Sequence, residues 1–357
     1  MTSSLETQAA LEFVLTLRRR WGDTLYPQLR TECDALEGSE SLPSAGFAER
    51  VHGLTSYPGF AWLERGAQKM LWRAAIDAVV GDDAAGSSSS GGGAADGESG
   101  SGAMLELDPQ LPLPAWYTGW DIHLQPGGVW SDATSARVYE LGARLVMLGD
   151  NDDYKFHRLF AETAIPRRVY RRIVDLGCGF GKSTWPLKKA HPDAEVIGID
   201  LAAPCLELAA RRARSKGLDI RFRQADAART GLASAGADLV TATMLIHELP
   251  LAELSAVLAE AARLLAPGGL LRILDFQYTG DRLRDLAMTE HGARNNEPFM
   301  PPMMSADTIG MAKAAGLHNA RWTAFDEREM GRLPGLTWPR RPEWHFPWAV
   351  LEAEMPA

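Results

Sequence analysis

From Arg172 to Phe276, short apolar runs alternate with segments of helical period, and that alternation constrains the fold more than any other feature of the chain. One strand is placed at 220–224, IRFRQ, and the runs 173–176, 195–200, 238–243 and 270–276 are rich in Val, Ile and Leu. Such runs suit strands buried on both faces, as in a parallel sheet covered by helices. Helices are expected near 183–190, 204–215, 251–265 and 305–315. Residues 320–325 and 346–353 are strand-like with no helical period between them, so an antiparallel hairpin is expected to close the sheet. The predicted class is α/β, a doubly wound and mostly parallel sheet with a terminal antiparallel strand.

The rest of the chain is organised around that sheet. At 357 residues, the length suggests about two domains. Residues 81–102 read GDDAAGSSSSGGGAADGESGSG, too polar and too rich in glycine to offset the entropy of ordering. The division expected is a helical cap or accessory domain over 1–80, a flexible linker over 81–103, and the sheet domain over 104–357. In the first part, Ser3 and Glu6 have capping-box spacing, and Ala10, Val14, Leu17 and Trp21 recur at helical steps. A second helix is expected over 60–80. Two or three such helices enclose little core alone, so they pack as a cap or make a subunit contact, which leaves a homodimer open. Arg18, Arg19 and Arg20 read as a solvated helix face. Another helix is expected over 133–148.

Charge and cysteine content exclude several classes. With 46 acidic against 37 basic residues, the net charge of -9 disfavours a general nucleic-acid binder. Three cysteines form neither a CxxC pair nor an even framework, which fits a reducing compartment. The first 21 residues carry their arginines after the apolar stretch, the reverse of a secretory signal, and are too polar to span a membrane. A soluble, cytoplasmic protein without membrane partners is expected.

The chemistry-bearing signal is Asp175-Leu-Gly-Cys-Gly-Phe-Gly-Lys-Ser183, between a predicted strand and a helix. A Walker loop needs a glycine five residues before Gly181, where Leu176 stands. A dinucleotide loop, G-x-G-x-x-G, needs its third glycine where Lys182 stands. What remains is an acid two residues before the first glycine, D-x-G-x-G-x-G. This pattern resembles the nucleotide loop of class I S-adenosylmethionine-dependent methyltransferases. The likeness continues in order over about 170–276. Asp200 ends VIGIDL, Asp226 and Ala227 lie in RQADAA, ADLVTATMLIHELP follows, and LLAPGGLLRILDF carries the turn at Pro267, Gly268 and Gly269.

The resemblance implies a Rossmann-like fold and S-adenosylmethionine as cofactor. By position it implies Asp175 on the methionine ammonium, with Gly177, Cys178, Gly179 and Gly181 as the loop. Asp200 and Leu201 fall at the ribose, Asp226 and Ala227 at the adenine, and Thr243 beyond the fourth strand. A carboxylate accepting from a vicinal diol is chemically apt at Asp200. Methyl transfer to a small organic molecule is the activity implied, with a pseudoenzyme or regulatory protein of the same fold as the alternative. The fourth strand ends Thr-Ala-Thr-Met rather than in the Asp/Asn-Pro-Pro-aromatic loop of base-amino methyltransferases. The paired glutamates of arginine methyltransferases are missing as well.

Three segments are candidates for the acceptor side, which should lie beyond the carboxyl ends of the strands. His247, after the fourth strand, is a candidate general base, or else a structural histidine. In WDIHLQPGG, Asp121, His123 and Gln125 alternate and would face one side of an extended run, with His123 as a second catalytic candidate. Their spacing raises a metal site, but without a second histidine pair none is assigned. Asn295, Asn296 and Glu297 would be polar contacts in an insertion stiffened by Pro301 and Pro302.

Overall fold

The computed structural model describes residues 4–38, 42–87, 102–147 and 152–357. Its strands are β1 (Met104–Glu106), β2 (Arg172–Leu176), β3 (Glu195–Asp200), β4 (Arg221–Gln224), β5 (Ala237–Thr243), β6 (Leu265–Phe276), β7 (His318–Asp326), β8 (Gly331–Arg332) and β9 (Trp348–Glu354). They form one sheet in the order β1-β4-β3-β2-β5-β6-β9-β7-β8. The five predicted parallel strands pair as expected. The apolar run of β2 is buried on both faces, with Ile173, Val174 and Leu176 at most 1% exposed, whereas β4 buries Phe222 between half-exposed arginines. The closing strands are antiparallel, with β9 seated between β6 and β7.

The chain runs outward through β2, β3 and β4, then returns to the other side of β2 as β5. The reversal opens a crevice at the carboxyl ends of β2 and β5, the place where such sheets take ligands. An extra edge strand, β1, adds in parallel to β4. It follows directly on the stretch read as linker, and Ala103 is already buried.

The helices are α1 (Leu5–Arg20), α2 (Tyr26–Asp34), α3 (Ser44–His52), α4 (Tyr57–Ser87), α5 (Ala115–Thr118), α6 (Ala133–Val146), α7 (Lys155–Thr163), α8 (Thr184–Ala190), α9 (Ala203–Ser215), α10 (Leu251–Leu264), α11 (Arg282–Arg294), α12 (Met300–Ser305) and α13 (Thr308–Ala314). The expected cap at Ser3 falls outside the described residues. Ser4 caps α1 instead, its hydroxyl accepting from the Thr7 amide at 3.1 Å. Residues 81–87 continue α4, so the linker expected from 81 is displaced, and 88–101 lie outside the described residues.

The N-terminal helices share the core of the sheet unit. Trp21 stacks on Phe60 at 5.1 Å and meets Trp344 edge-on at 5.4 Å, while the Trp344 amide donates to the Gly22 carbonyl at 3.0 Å. Packing runs outward from β4 through α9 and α6 to α4 and α1. At the α4–α6 crossing, a Cβ on Gly142 would stand 2.1 Å from the Trp72 ring, so only glycine admits the indole. The arginine triplet is not one solvated face. Arg18 is buried and donates to Gln68 and to the Val146 carbonyl, whereas Arg19 and Arg20 are exposed. No helix among the described residues is long and apolar enough to cross a membrane.

Candidate functional site

The glycine loop turns between β2 and α8 through left-handed backbone at Gly177 (φ +65°) and Gly181 (φ +89°). A Cβ would come within 2.7 Å of Leu245 at the first and 2.8 Å of Trp185 at the second. Both the conformation and the close approach therefore demand glycine. The Cys178 amide donates to the Ile199 carbonyl at 3.0 Å and ties the loop to β3.

Asp175 braces this loop from below. Its Oδ2 accepts from the Ser183 and Thr184 hydroxyls, each at 2.7 Å, and its Oδ1 from Thr241 at 3.0 Å. The carboxylate is fully buried, and burial pushes its pKa up to about 6 despite those donors. The role implied for it at the cofactor ammonium is thus corrected: the side chain is fully buried beneath the loop, off the cavity wall, and is spent on three hydroxyls that brace the loop.

Gly177, Gly179, Asp200, Leu201, Asp226 and Ala227 line a single cavity at the carboxyl ends of the strands. Asp200 is held by the Gly179 amide at 2.7 Å and the Ala202 amide at 2.8 Å. Each oxygen keeps a lone pair for a further donor. Burial raises its pKa, opposed by these amides. Asp226 accepts from the Ala228 amide at 2.8 Å. Cys178 and Thr243 are buried behind the wall, and Gly181 packs on Trp185, so these three are not cavity residues.

Another part of the cavity wall is built from segments distant in sequence. His247 lies in a 3-10 turn after β5 (Ile246–Glu248), with Nδ1 2.7 Å from Asp275 Oδ1. Asp275, near the end of β6, also accepts from the Ile246 amide at 2.9 Å and so fixes the turn. His123 lies in the turn Ile122–Leu124 at φ +55°, with Nδ1 2.8 Å from Glu297 Oε1. The two Nε2 atoms meet one oxygen, Glu248 Oε1, at 3.0 Å from His123 and 3.2 Å from His247. Burial lowers the pKa of both histidines, but Glu248 and Glu297 outweigh it at His123, which rises to about 9. Asp275 and Glu248 outweigh it at His247, which rises well above its ordinary value. With one ring nitrogen at Asp275 and the other at Glu248, the His247 imidazole presents no free nitrogen to an acceptor, which argues against it as a free general base.

The other acceptor-side expectations fail on backbone conformation. Residues 121–125 are not extended, because the chain turns at His123. Asp121 is therefore exposed and accepts from the Gly127 amide at 3.1 Å. Gln125 is buried and donates to the Ser135 carbonyl at 3.0 Å. Asn295 donates to the His291 carbonyl at 3.0 Å, and Asn296 to the Asp121 carbonyl at 3.3 Å. Of that group, His123 and Glu297 reach the cavity.

Several lining residues carried no readable signal. Gln68 and Trp72 come from α4, and both donate to the His123 carbonyl. Lys182, read above only as a misplaced glycine, lines the cavity with its Nζ 3.3 Å from the Tyr139 hydroxyl. Burial lowers its pKa to about 8. Its position inside a glycine loop was the one available clue.

Comparison with known proteins places this site in context. Residues 173–269 match the family described as "Methyltransferase domain". A demethylmenaquinone methyltransferase of Thermus thermophilus is 36% identical over 138 residues, covering 39% of this chain and 60% of the relative. A trans-aconitate 2-methyltransferase of Methylobacterium radiotolerans is 40% identical over 109 residues, covering 30% and 39%. The first of these relatives is thus spanned over three fifths of its length and the second over less. Among solved structures, a TehB-like SAM-dependent methyltransferase of Corynebacterium glutamicum is 18% identical with a TM-score of 0.41, over 62% of this chain and 98% of that one.

Proposed function

We propose that the protein is a class I S-adenosylmethionine-dependent methyltransferase, a reading supported by the methyltransferase-domain match over residues 173–269, and that it transfers the cofactor's methyl group to a small organic molecule bound in the same cavity. One observation carries this reading. A single cavity is lined both by backbone glycines and two carboxylates and by aromatic and His–Glu surface. Asp200 accepts from the ribose hydroxyls, Asp226 from the adenine amine, and Gly177 and Gly179 admit the cofactor against bare backbone. S-adenosylmethionine held there would supply an electrophilic methyl group; the acceptor's lone pair would take it as the carbon–sulfur pair returned to sulfur, and a proton on the attacking atom would pass to solvent. The protein's task is alignment of the two reactants.

The N-terminal helices act in this reading as a cap over the acceptor end, since Gln68 and Trp72 of α4 support the His123 turn. The names of the relatives point to small organic acceptors, and the net charge of -9 suits an acceptor that is not a polyanion. The test is turnover: purified protein, methyl-labelled S-adenosylmethionine and fractionated small-molecule extracts, with labelled products found by mass spectrometry. A labelled small molecule supports the reading. Cofactor binding without any labelled product across broad extracts turns it toward a regulatory protein of the same fold.

A further inference from the structure

We propose that His123, His247 and Glu248 form a site for one divalent transition-metal ion at the acceptor end of the cavity. The ion's open positions would take adjacent oxygen or nitrogen atoms of a chelating acceptor. The proposal rests on reading that end of the cavity as the acceptor side.

Distance is the first argument. Zinc-type ions bind nitrogen and oxygen at about 2.0–2.2 Å, which sets neighbouring ligand atoms about 3.0–3.5 Å apart. Glu248 Oε1 lies 3.0 Å from His123 Nε2 and 3.2 Å from His247 Nε2, and all three atoms fall within 4.8 Å of one another. Side-chain support is the second. Ligating histidines as a rule give their other ring nitrogen to a carboxylate or carbonyl, which fixes ring orientation. Both histidines do so here, His123 to Glu297 at 2.8 Å and His247 to Asp275 at 2.7 Å.

The backbone supports the same conclusion. His123 holds a positive φ that a side chain rarely adopts, and its carbonyl is caught by Gln68 and Trp72. Strain of this kind persists where surrounding structure over-determines it, and it gathers at functional sites. The donor set then selects the ion. Two imidazoles and one carboxylate suit zinc, iron, cobalt or manganese rather than magnesium or calcium. Three protein ligands rather than four leave open positions, the arrangement of catalytic rather than structural sites. An ion there orients a chelating acceptor and favours its deprotonated form. The competing arrangement is a plain hydrogen-bonded triad, with both imidazoles donating to Glu248 and no affinity for metal.

The experiment strips the full chain with chelator, then titrates it with Zn2+ by calorimetry and with Co2+ by visible absorption, in the absence of S-adenosylmethionine. The expected result is one ion per chain and Co2+ bands of a low-symmetry site. His123→Ala and His247→Ala each weaken binding by about 100-fold or more, and Glu297→Gln by about 10–100-fold. His318→Ala, on an exposed histidine of β7, changes nothing. S-adenosylhomocysteine binding, measured on each variant, reports that the cofactor half is folded. If His247→Ala fails to fold, the wild-type Co2+ spectrum and Glu297→Gln decide. Cofactor binding with no stoichiometric metal, or with metal binding indifferent to Glu297→Gln and His123→Ala, overturns the metal site alone. Stoichiometric metal without cofactor binding upholds the site and overturns the methyltransferase reading.

Discussion

Replacing Asp175 by asparagine separates a bracing role from a cofactor-binding one. Burial raises this carboxyl from 3.8 to about 6, so the folded state holds its proton more tightly than the unfolded chain. A raised acid contributes stability that is complete below its unfolded pKa and is lost as pH rises through the folded value. About two pKa units at 1.36 kcal/mol each make that loss about 3 kcal/mol. Asparagine does not titrate, and against the protonated acid the exchange costs about one neutral hydrogen bond, about 1 kcal/mol. Near about pH 3 the variant should therefore be about 1 kcal/mol less stable than wild type, and near about pH 7.5 about 2 kcal/mol more stable, with the crossing near about pH 4.5. Urea denaturation at the two pH values reads the crossing. Affinity for S-adenosylhomocysteine at neutral pH should change by no more than a few-fold, because the carboxylate is off the cavity wall. A stability gap independent of pH refutes the linkage argument. A loss of about 100-fold in affinity at unchanged stability returns Asp175 to the cofactor.

Two further substitutions test how the N-terminal helices are joined to the sheet unit. Gly142→Ala gains about 1 kcal/mol of helix propensity but drives a methyl into Trp72 at 2.1 Å, so a net loss and a lower Tm are expected. Adding Trp72→Phe should recover part of that loss, and unchanged stability of the single variant would contradict the packing. Glu64→Gln breaks a buried cluster in which the carboxylate accepts from His291 at 2.6 Å and from Arg294. Arg294 keeps Glu290 at 2.9 Å, so the cost in denaturant unfolding should sit near the low end of about 3–5 kcal/mol, and none at all would mean that α4 is not anchored there.

The sheet was legible because its signals are local. A strand buried on both faces writes a continuous apolar run, and a loop that must adopt positive φ writes its glycines, so β2 to β6 and Gly177 could be read directly. Asp200 and Asp226, picked out by the family resemblance at or after strand ends, lie on the cavity wall. The acceptor end was not legible. Asp121, His123 and Gln125 alternate as if extended, yet a single turn at His123 sends the three side chains to three places. The partnership of His123 with Glu297 spans 174 residues and leaves no periodic trace. Asp175 shows the opposite failure: residue and position fit a ligand, but three hydroxyls from the following helix and from β5 consume it. Arg18, read as solvated, is buried because α4 brings Gln68 to it.

Calorimetric titration of S-adenosylhomocysteine into wild type and Asp200→Ala tests the central claim most directly. The account predicts one molecule bound per wild-type chain, and a loss of about 10–100-fold or more when the carboxylate proposed to accept from the ribose is removed. ATP should not bind. Saturable binding of ATP with none of S-adenosylhomocysteine, or cofactor affinity indifferent to Asp200→Ala, would contradict it.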